Sequence, residues 1–189
     1  MLYDFTNLNP DERYKLIAQS VIPRPIAWVV TENENIINIA PFSFFNALSA
    51  TPPVLVVSIG HKENGKPKDT LKNLRVTKKC VLCLASVTHK EQLVCTSEAL
   101  DSKQSEAEFC KVETKIIDAA YPPMIADAQV AYFCELRQEL DLGGKTVPLL
   151  LDVKKAFFDD AIITDKEKLR VHFDALGRVG ASFAKLEEI

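Results

Sequence analysis

Glycine is scarce in this chain, with six among 189 residues. None falls in a G-x-G-x-x-G pattern; Gly143-Gly144 and Gly177-x-x-Gly180 are the nearest groupings. A dinucleotide fingerprint is therefore absent. Histidine is scarcer still: His61, His89 and His172 lie far apart and form no local metal motif. No nucleophile-elbow sequence is present. No apolar run approaches the ~20 residues of a membrane span. The chain starts with Asp4, Asp11 and Glu12 rather than a basic region and an apolar stretch, so no secretory signal is expected and the chain is placed in the cytoplasm. Basic charge is not in surplus: 23 Lys and Arg face 26 Asp and Glu, a net charge of −3. That balance argues against a nucleic-acid partner.

Cysteine is not absent, but its number is odd. Five cysteines fit a reduced compartment better than a disulfide framework. Cys80 and Cys83 form a lone C-x-x-C inside Cys80-Val81-Leu82-Cys83-Leu84, which reads as a strand. Positions three apart on a strand face opposite sides, so these thiols do not converge and a structural role is expected.

What is present is an ordinary globular composition, 47% apolar and 26% charged. The length suits one core, so residues 1–189 are expected to form a single domain. Residues 1–22 read as an N-terminal helical extension and 159–189 as a C-terminal extension. Asn9-Pro10-Asp11-Glu12 opens a helix: an N-cap, a proline at the first position and acidic residues in the first turn. Ile22-Pro23 closes it. Strands follow at 26–31 and 36–39 as a hairpin, then at 54–59, 80–86, 131–140 and 147–158. Asp69 is a candidate cap for a short helix through Lys79, and Thr88-x-x-Glu91 resembles a capping box for another. Strands in mostly hairpin order with short helices between them predict a mainly β fold, a small antiparallel barrel with helical insertions.

One nucleotide-binding lead fails. Gly60-His61-Lys62-Glu63-Asn64-Gly65-Lys66 has P-loop spacing, but the next residue is Pro67. Proline offers neither a hydroxyl for Mg²⁺ nor a backbone N–H for phosphate.

The richest stretch is Ala40 to Pro53, with Phe42, Phe44 and Phe45 interleaved with Ser43, Asn46, Ser49 and Thr51. It reads either as the buried wall of a pocket for a flat amphipathic ligand or as a crossover whose hydroxyls bond their own backbone. Its flanks favour the pocket. Arg24 is held extended between Pro23 and Pro25, and a strand ends near Ser58. Lys68-Asp69-Thr70 opens a helix, where free N–H groups attract an anion. A flat ring with polar edges and one phosphate would use all of these.

Val21-Ile22-Pro23-Arg24-Pro25-Ile26-Ala27-Trp28-Val29, Asn38-Ile39-Ala40-Pro41-Phe42-Ser43-Phe44-Phe45-Asn46, Pro52-Pro53, and Lys68-Asp69-Thr70 with Asn73 resemble the flavin reductase-like, FMN-binding split-barrel proteins. Leu176-Gly177-Arg178-Val179-Gly180 is similar to that family's terminal signature. The resemblance implies a Greek-key-like split β-barrel that dimerises, with FMN at or near the subunit interface. It implies a cofactor site made of Arg24, Ser43, Phe44, Asn46, Ala47, Leu48, Ser49, Ser58, Lys68, Asp69, Thr70 and Asn73, with 68–70 at the phosphate end. No catalytic side chain is assigned, because hydride arrival at a flavin needs no general acid or base. The expected activity is an oxidoreductase taking hydride from NADH or NADPH. It would pass electrons to oxygen, flavin, a monooxygenase or another acceptor protein. An FMN electron carrier without NAD(P)H oxidation and a non-catalytic ligand-binding barrel are the alternatives. The Leu150-Leu151-Asp152-Val153 strand departs from the family's Gly-Glu-Val-like element, and residues beyond Phe158 fit loosely.

Overall fold

Asn9 opens the first helix, α1 (Pro10–Ser20), with a complete capping box. Its Oδ1 accepts from the Glu12 N–H at 3.0 Å, and Glu12 Oε2 accepts from the Asn9 N–H at 2.9 Å. Only Ala18 of this helix is buried, so α1 lies on the surface of a body made of strands. The computed structural model of the chain describes residues 1–187. The last two residues of the expected C-terminal extension lie outside it.

Strand β1 (Ala27–Asn33) turns through Glu34 and Asn35, both at positive φ, into β2 (Ile36–Phe42). Next come β3 (Phe45–Ala50) and β4 (Pro53–Gly60), then helix α2 (Asp69–Thr77) and β5 (Lys79–Leu84). Two short helices follow, α3 (Lys90–Cys95) and α4 (Glu106–Phe109). A small ribbon of β6 (Thr114–Lys115) and β7 (Met124–Ile125) leads to the long pair β8 (Val130–Glu139) and β9 (Thr146–Phe158). The chain ends in two minor hairpins, β10 (Ile163–Asp165) with β11 (Arg170–Val171) and β12 (Leu176–Val179) with β13 (Ser182–Lys185).

Seven strands form one antiparallel sheet in the order β2-β1-β5-β8-β9-β4-β3. The connection from β4 to β5 crosses the sheet through α2. The sheet is buried on both faces, which is why β1 and β5 read as continuous apolar runs instead of alternating ones. Ala27, Val29, Cys80, Leu82 and Cys134 point to one core, which Leu71 and Leu74 of α2 complete. Trp28, Val30, Val81, Cys83 and Phe133 point to the other. Cys80 and Cys83 thus sit on opposite faces, as the period of two requires. Burial raises the Cys83 thiol pKa to about 12, and Cys80 is pushed well up beside Cys134.

Four expectations need correction. The Ala40–Pro53 stretch is not a buried irregular wall: it is the end of β2, a bend at Ser43-Phe44, and β3, whose Asn46–Ala50 are exposed. Pro41 lies on the edge strand β2, Pro52 in the turn after β3, and Pro53 at the first position of β4, so none of them costs a central ladder bond. Lys68, not Asp69, is the N-cap of α2; Asp69 lies in the first turn and pairs with Lys62 at 2.7 Å. The turn before α3 is boxed by Ser86 and His89 rather than by Thr88 and Glu91. The cysteines are not all reduced, because Cys95 and Cys110 form a disulfide. Odd counts signal leftover thiols, and here the leftovers are three buried core residues.

Candidate functional site

The site begins where β2 reaches its end. Asn38 and Pro41 on β2, the Ser43-Phe44 bend, Ser58 and Gly60 on β4, and the start of α2 border two adjoining cavities. The larger, about 620 Å³, is walled by Asn38, Lys62, Thr70, residues 96–100 and Glu106. The other, about 550 Å³, is lined by Ile26, Phe42, Ser43, Phe44, Ser58 and Leu93, with Arg178 and Phe183 from the terminal hairpin. Pro41, Lys68 and Ser97 border both. Both cavities mix polar and apolar surface; the smaller takes its rings from Phe42, Phe44 and Phe183, and Lys68 stands where the two meet.

That lysine stands at a helix start. No side chain caps α2, so its first-turn N–H groups have no intrahelical partner. Lys68 Nζ lies 5.7 Å from the Phe42 ring centroid, and no described carboxylate pairs with it. Thr70 is buried at 1% exposure, and its hydroxyl donates to Asn38 Oδ1 at 3.4 Å. Asn73 donates to Thr31 Oγ1 at 3.1 Å and faces β1 rather than either large cavity. These two bonds fix α2 against the β1–β2 hairpin and so fix the position of Lys68.

The loop before α2 is a tight hairpin. Lys62 N–H donates to Lys66 O at 2.8 Å, Gly65 N–H donates to Lys62 O at 2.9 Å, and His61 bridges Pro67. Gly65 takes φ +77°, which favours glycine. Lys66 N–H donates to Asn64 Oδ1 at 3.0 Å, so three of the amides of the P-loop-like spacing are spent on this turn.

Arg24 is 5% exposed. Its backbone pairs with Arg178, and its guanidinium donates to the carbonyls of Ala18, Val21 and Gly180. It stacks 5.7 Å from Phe44, and its Nε has no partner among the described residues. Desolvation lowers its pKa. Arg24 thus ties α1 and the terminal hairpin to the site's aromatic floor. Gly177 permits that contact: a Cβ there would lie 3.2 Å from Pro23 Cβ.

Ser43, Phe44, Ser58, Lys68, Asp69 and Thr70 come together around the cavities, and Arg24 sits beneath Phe44. Asn46, Ala47, Leu48 and Ser49 do not join them within one chain. Asn46 Oδ1 accepts from the Ala47 N–H and Ser49 Oγ from the Thr51 N–H, while Leu48 is 57% exposed.

Sequence reasoning passed over Ser97, Arg178, Phe183 and Glu106. Arg178 was within reach, since it belongs to the terminal signature; Phe183, Ser97 and Glu106 carry no local signal. Glu106 is 9% exposed, accepts from the Ile39 N–H at 3.1 Å, and faces Asn38 and Asp69. Burial raises its carboxyl pKa above the ordinary value, and Asp69 adds to this. A folded carboxyl with a raised pKa holds its proton more tightly than in the unfolded chain, so its contribution falls as pH rises through the carboxyl range. The stability of the native chain relative to Glu106→Gln should therefore drop as pH rises above 4.5, the ordinary value for a glutamate. Urea midpoints of both proteins measure this, and a pH-independent difference would refute it.

A mainly β chain built on one seven-stranded antiparallel sheet with helical insertions has the split-barrel fold. The chain belongs to the flavin reductase like domain family, whose profile matches residues 19–169. It is similar to nitrilotriacetate monooxygenase component B from Bacillus cereus, with 26% identity, a TM-score of 0.92, and 100% and 96% of the two chains covered. It is also similar to the 2-nitrobenzoate 2-nitroreductase NbaA of Pseudomonas fluorescens, at 29% identity, a TM-score of 0.89, and 100% and 93% coverage. A putative flavin reductase with a split barrel domain from Shewanella frigidimarina NCIMB 400 shares the fold at 16% identity and a TM-score of 0.86, with 100% and 96% coverage.

Proposed function

We propose that this chain binds FMN as one domain and acts as an NAD(P)H-dependent flavin reductase, or as a reductase component handing electrons to oxygen or an acceptor protein in the cytoplasm. The observation that carries the reading is the pair of adjoining cavities meeting at Lys68 and the uncapped start of α2. An aromatic-framed cavity suits a flat ring, and a cation beside free helix N–H groups suits its phosphate. Bound flavin would supply the two-electron chemistry.

The chain's own residues then position and shield. Phe42 and Phe44 give the ring an apolar face. Ser43 and Ser58 offer hydroxyls to its polar edge. Lys68, with the N–H groups of Asp69 and Thr70, holds the phosphate. Arg24 keeps Phe44 in place, and Asn73 keeps α2 in place. The second cavity leaves room for the donor and then the acceptor beside the ring. Asn46, Ala47, Leu48 and Ser49 are assigned to a homodimer contact along exposed β3, an edge that isolated proteins usually blunt. A two-chain molar mass by light scattering is expected; a monomer would remove that assignment.

The deciding experiment is purification followed by absorbance and stopped-flow mixing with NADH and NADPH. A yellow protein that releases FMN and bleaches on mixing supports the reductase. A yellow protein that stays oxidised is an electron carrier. A colourless protein that takes up no added FMN ends the flavin reading. The nitrilotriacetate monooxygenase component supports a reductase partnered with an oxygenase, without naming this chain's acceptor.

A further inference from the structure

The wall formed by residues 96–106 stands apart from the rest of the site. It contributes Thr96, Ser97, Glu98, Ala99, Leu100 and Glu106 to the larger cavity, yet residues 97–105 belong to no helix or strand. Residues 101–104 bond one another: Gln104 N–H donates to Asp101 O, Asp101 N–H to Gln104 Oε1 and Lys103 N–H to Asp101 Oδ1. The wall is held at its ends. Thr96 accepts from Trp28 Nε1 at 2.8 Å, Ser105 donates to Ile37 O at 2.8 Å, and Glu106 accepts from Ile39. Across its base the Cys95–Cys110 disulfide joins α3 to α4, with Gln92 donating to Lys111 O at 3.1 Å beside it.

These helices span six and four residues, too short to persist without tertiary ties. The disulfide is the one covalent tie at the wall. Both of its cysteines are half-buried, whereas Cys80, Cys83 and Cys134 are buried in the cores. Thiol–disulfide exchange is therefore confined to this pair.

We propose that the Cys95–Cys110 disulfide is a redox latch on this wall, and that its reduction by a dithiol loosens residues 97–105 and, through Ser97, which borders both cavities, weakens flavin binding in the adjoining one. The step is balanced. A dithiol gives two electrons and two protons, the Sγ–Sγ bond breaks, each sulfur becomes a thiol, and the reductant closes to its own disulfide. The hydrogen bonds of Thr96, Ser105 and Gln92 remain, so the wall loosens without the barrel unfolding. The ligand-affinity part rests on the flavin reading; the loosening does not.

The test uses the full chain, oxidised and then reduced with dithiothreitol. Native alkylation should label no thiols before reduction and two after it, Cys95 and Cys110. Amide exchange over 97–105 should quicken about tenfold on reduction, with β1, β5 and β8 unchanged. FMN affinity should fall about fivefold on reduction and recover on reoxidation. A Cys95→Ser/Cys110→Ser chain should behave like the reduced protein and ignore dithiothreitol; if it does not fold, the reversible reduction of the native chain decides alone. Thiols that label without reductant, or equal exchange in the two states, would overturn the latch. Faster exchange with unchanged FMN affinity would overturn its effect on binding. Failure of both forms to bind FMN would strike the flavin reading, while exchange still judges the latch.

Discussion

Replacing Trp28 with alanine is expected to destabilise the chain by about 4 kcal/mol, near the top of the range for core truncations. Trp28 is fully buried, at 0% exposure. It sits in the core that Val30, Val81, Cys83 and Phe133 share, with the His89 ring at 5.6 Å. Its indole N–H donates to Thr96 Oγ1 at 2.8 Å, and the Thr96 hydroxyl donates on to Leu93 O at 3.1 Å. Alanine would leave a large void and remove the donor that pins the cavity wall. Phenylalanine keeps most of the volume and loses the donor, so about 2 kcal/mol is expected for it. For a chain of this size, the alanine loss corresponds to a fall in melting temperature of roughly 8 to 16 °C. Trp28 is the sole tryptophan, so far-UV circular dichroism must follow the transition. A fall below about 3 °C for alanine would mean that the packing described around Trp28 is wrong.

The strand of Trp28 and β5 were legible in the sequence because sheet burial on two faces writes itself as continuous apolar runs, and β8 because Tyr132, Cys134 and Leu136 alternate with Glu135, Arg137 and Glu139. The α1 cap was legible because Asn9 and Glu12 lie within one turn of each other. The opposite facing of Cys80 and Cys83 followed from strand period alone. Failures came where the deciding contact is distant. Nothing local in Cys95 or Cys110 announces their pairing. The segment from Asn46 to Ala50 has the residues of a pocket wall, but sheet order makes it an edge, and sheet order is set by partners far along the chain. Asp69 resembles a cap by type, yet the Lys62 ammonium claims it. The stiffness of Pro23 and Pro25 predicts an extended Arg24, but where its guanidinium donates is decided by the carbonyls of Ala18, Val21 and Gly180 that the fold brings to it. Glu106 illustrates the limit: a buried acid in a four-residue helix is visible only once β2 is beside it.

Exchanging Lys68 for glutamate is expected to weaken FMN binding by at least 30-fold while leaving the fold intact. A charge-assisted contact to an anion contributes about 2 kcal/mol, which is close to this factor. Lys68 is the N-cap of α2, where an acidic side chain suits the helix dipole, so α2 itself is not harmed. The loss falls on the ligand: a cation at the junction of the two cavities becomes an anion facing the phosphate. Lys68→Ala should show a milder loss of about tenfold, shrinking as salt is raised. Riboflavin, which lacks the phosphate, separates this role from packing against Phe42. Fluorescence titration should find riboflavin affinity nearly unchanged in Lys68→Glu, and the preference for FMN over riboflavin collapsed. Equal losses for both ligands would show that Lys68 shapes the ring cavity and does not hold the phosphate. No loss for either would place the flavin elsewhere and detach the uncapped end of α2 from the site.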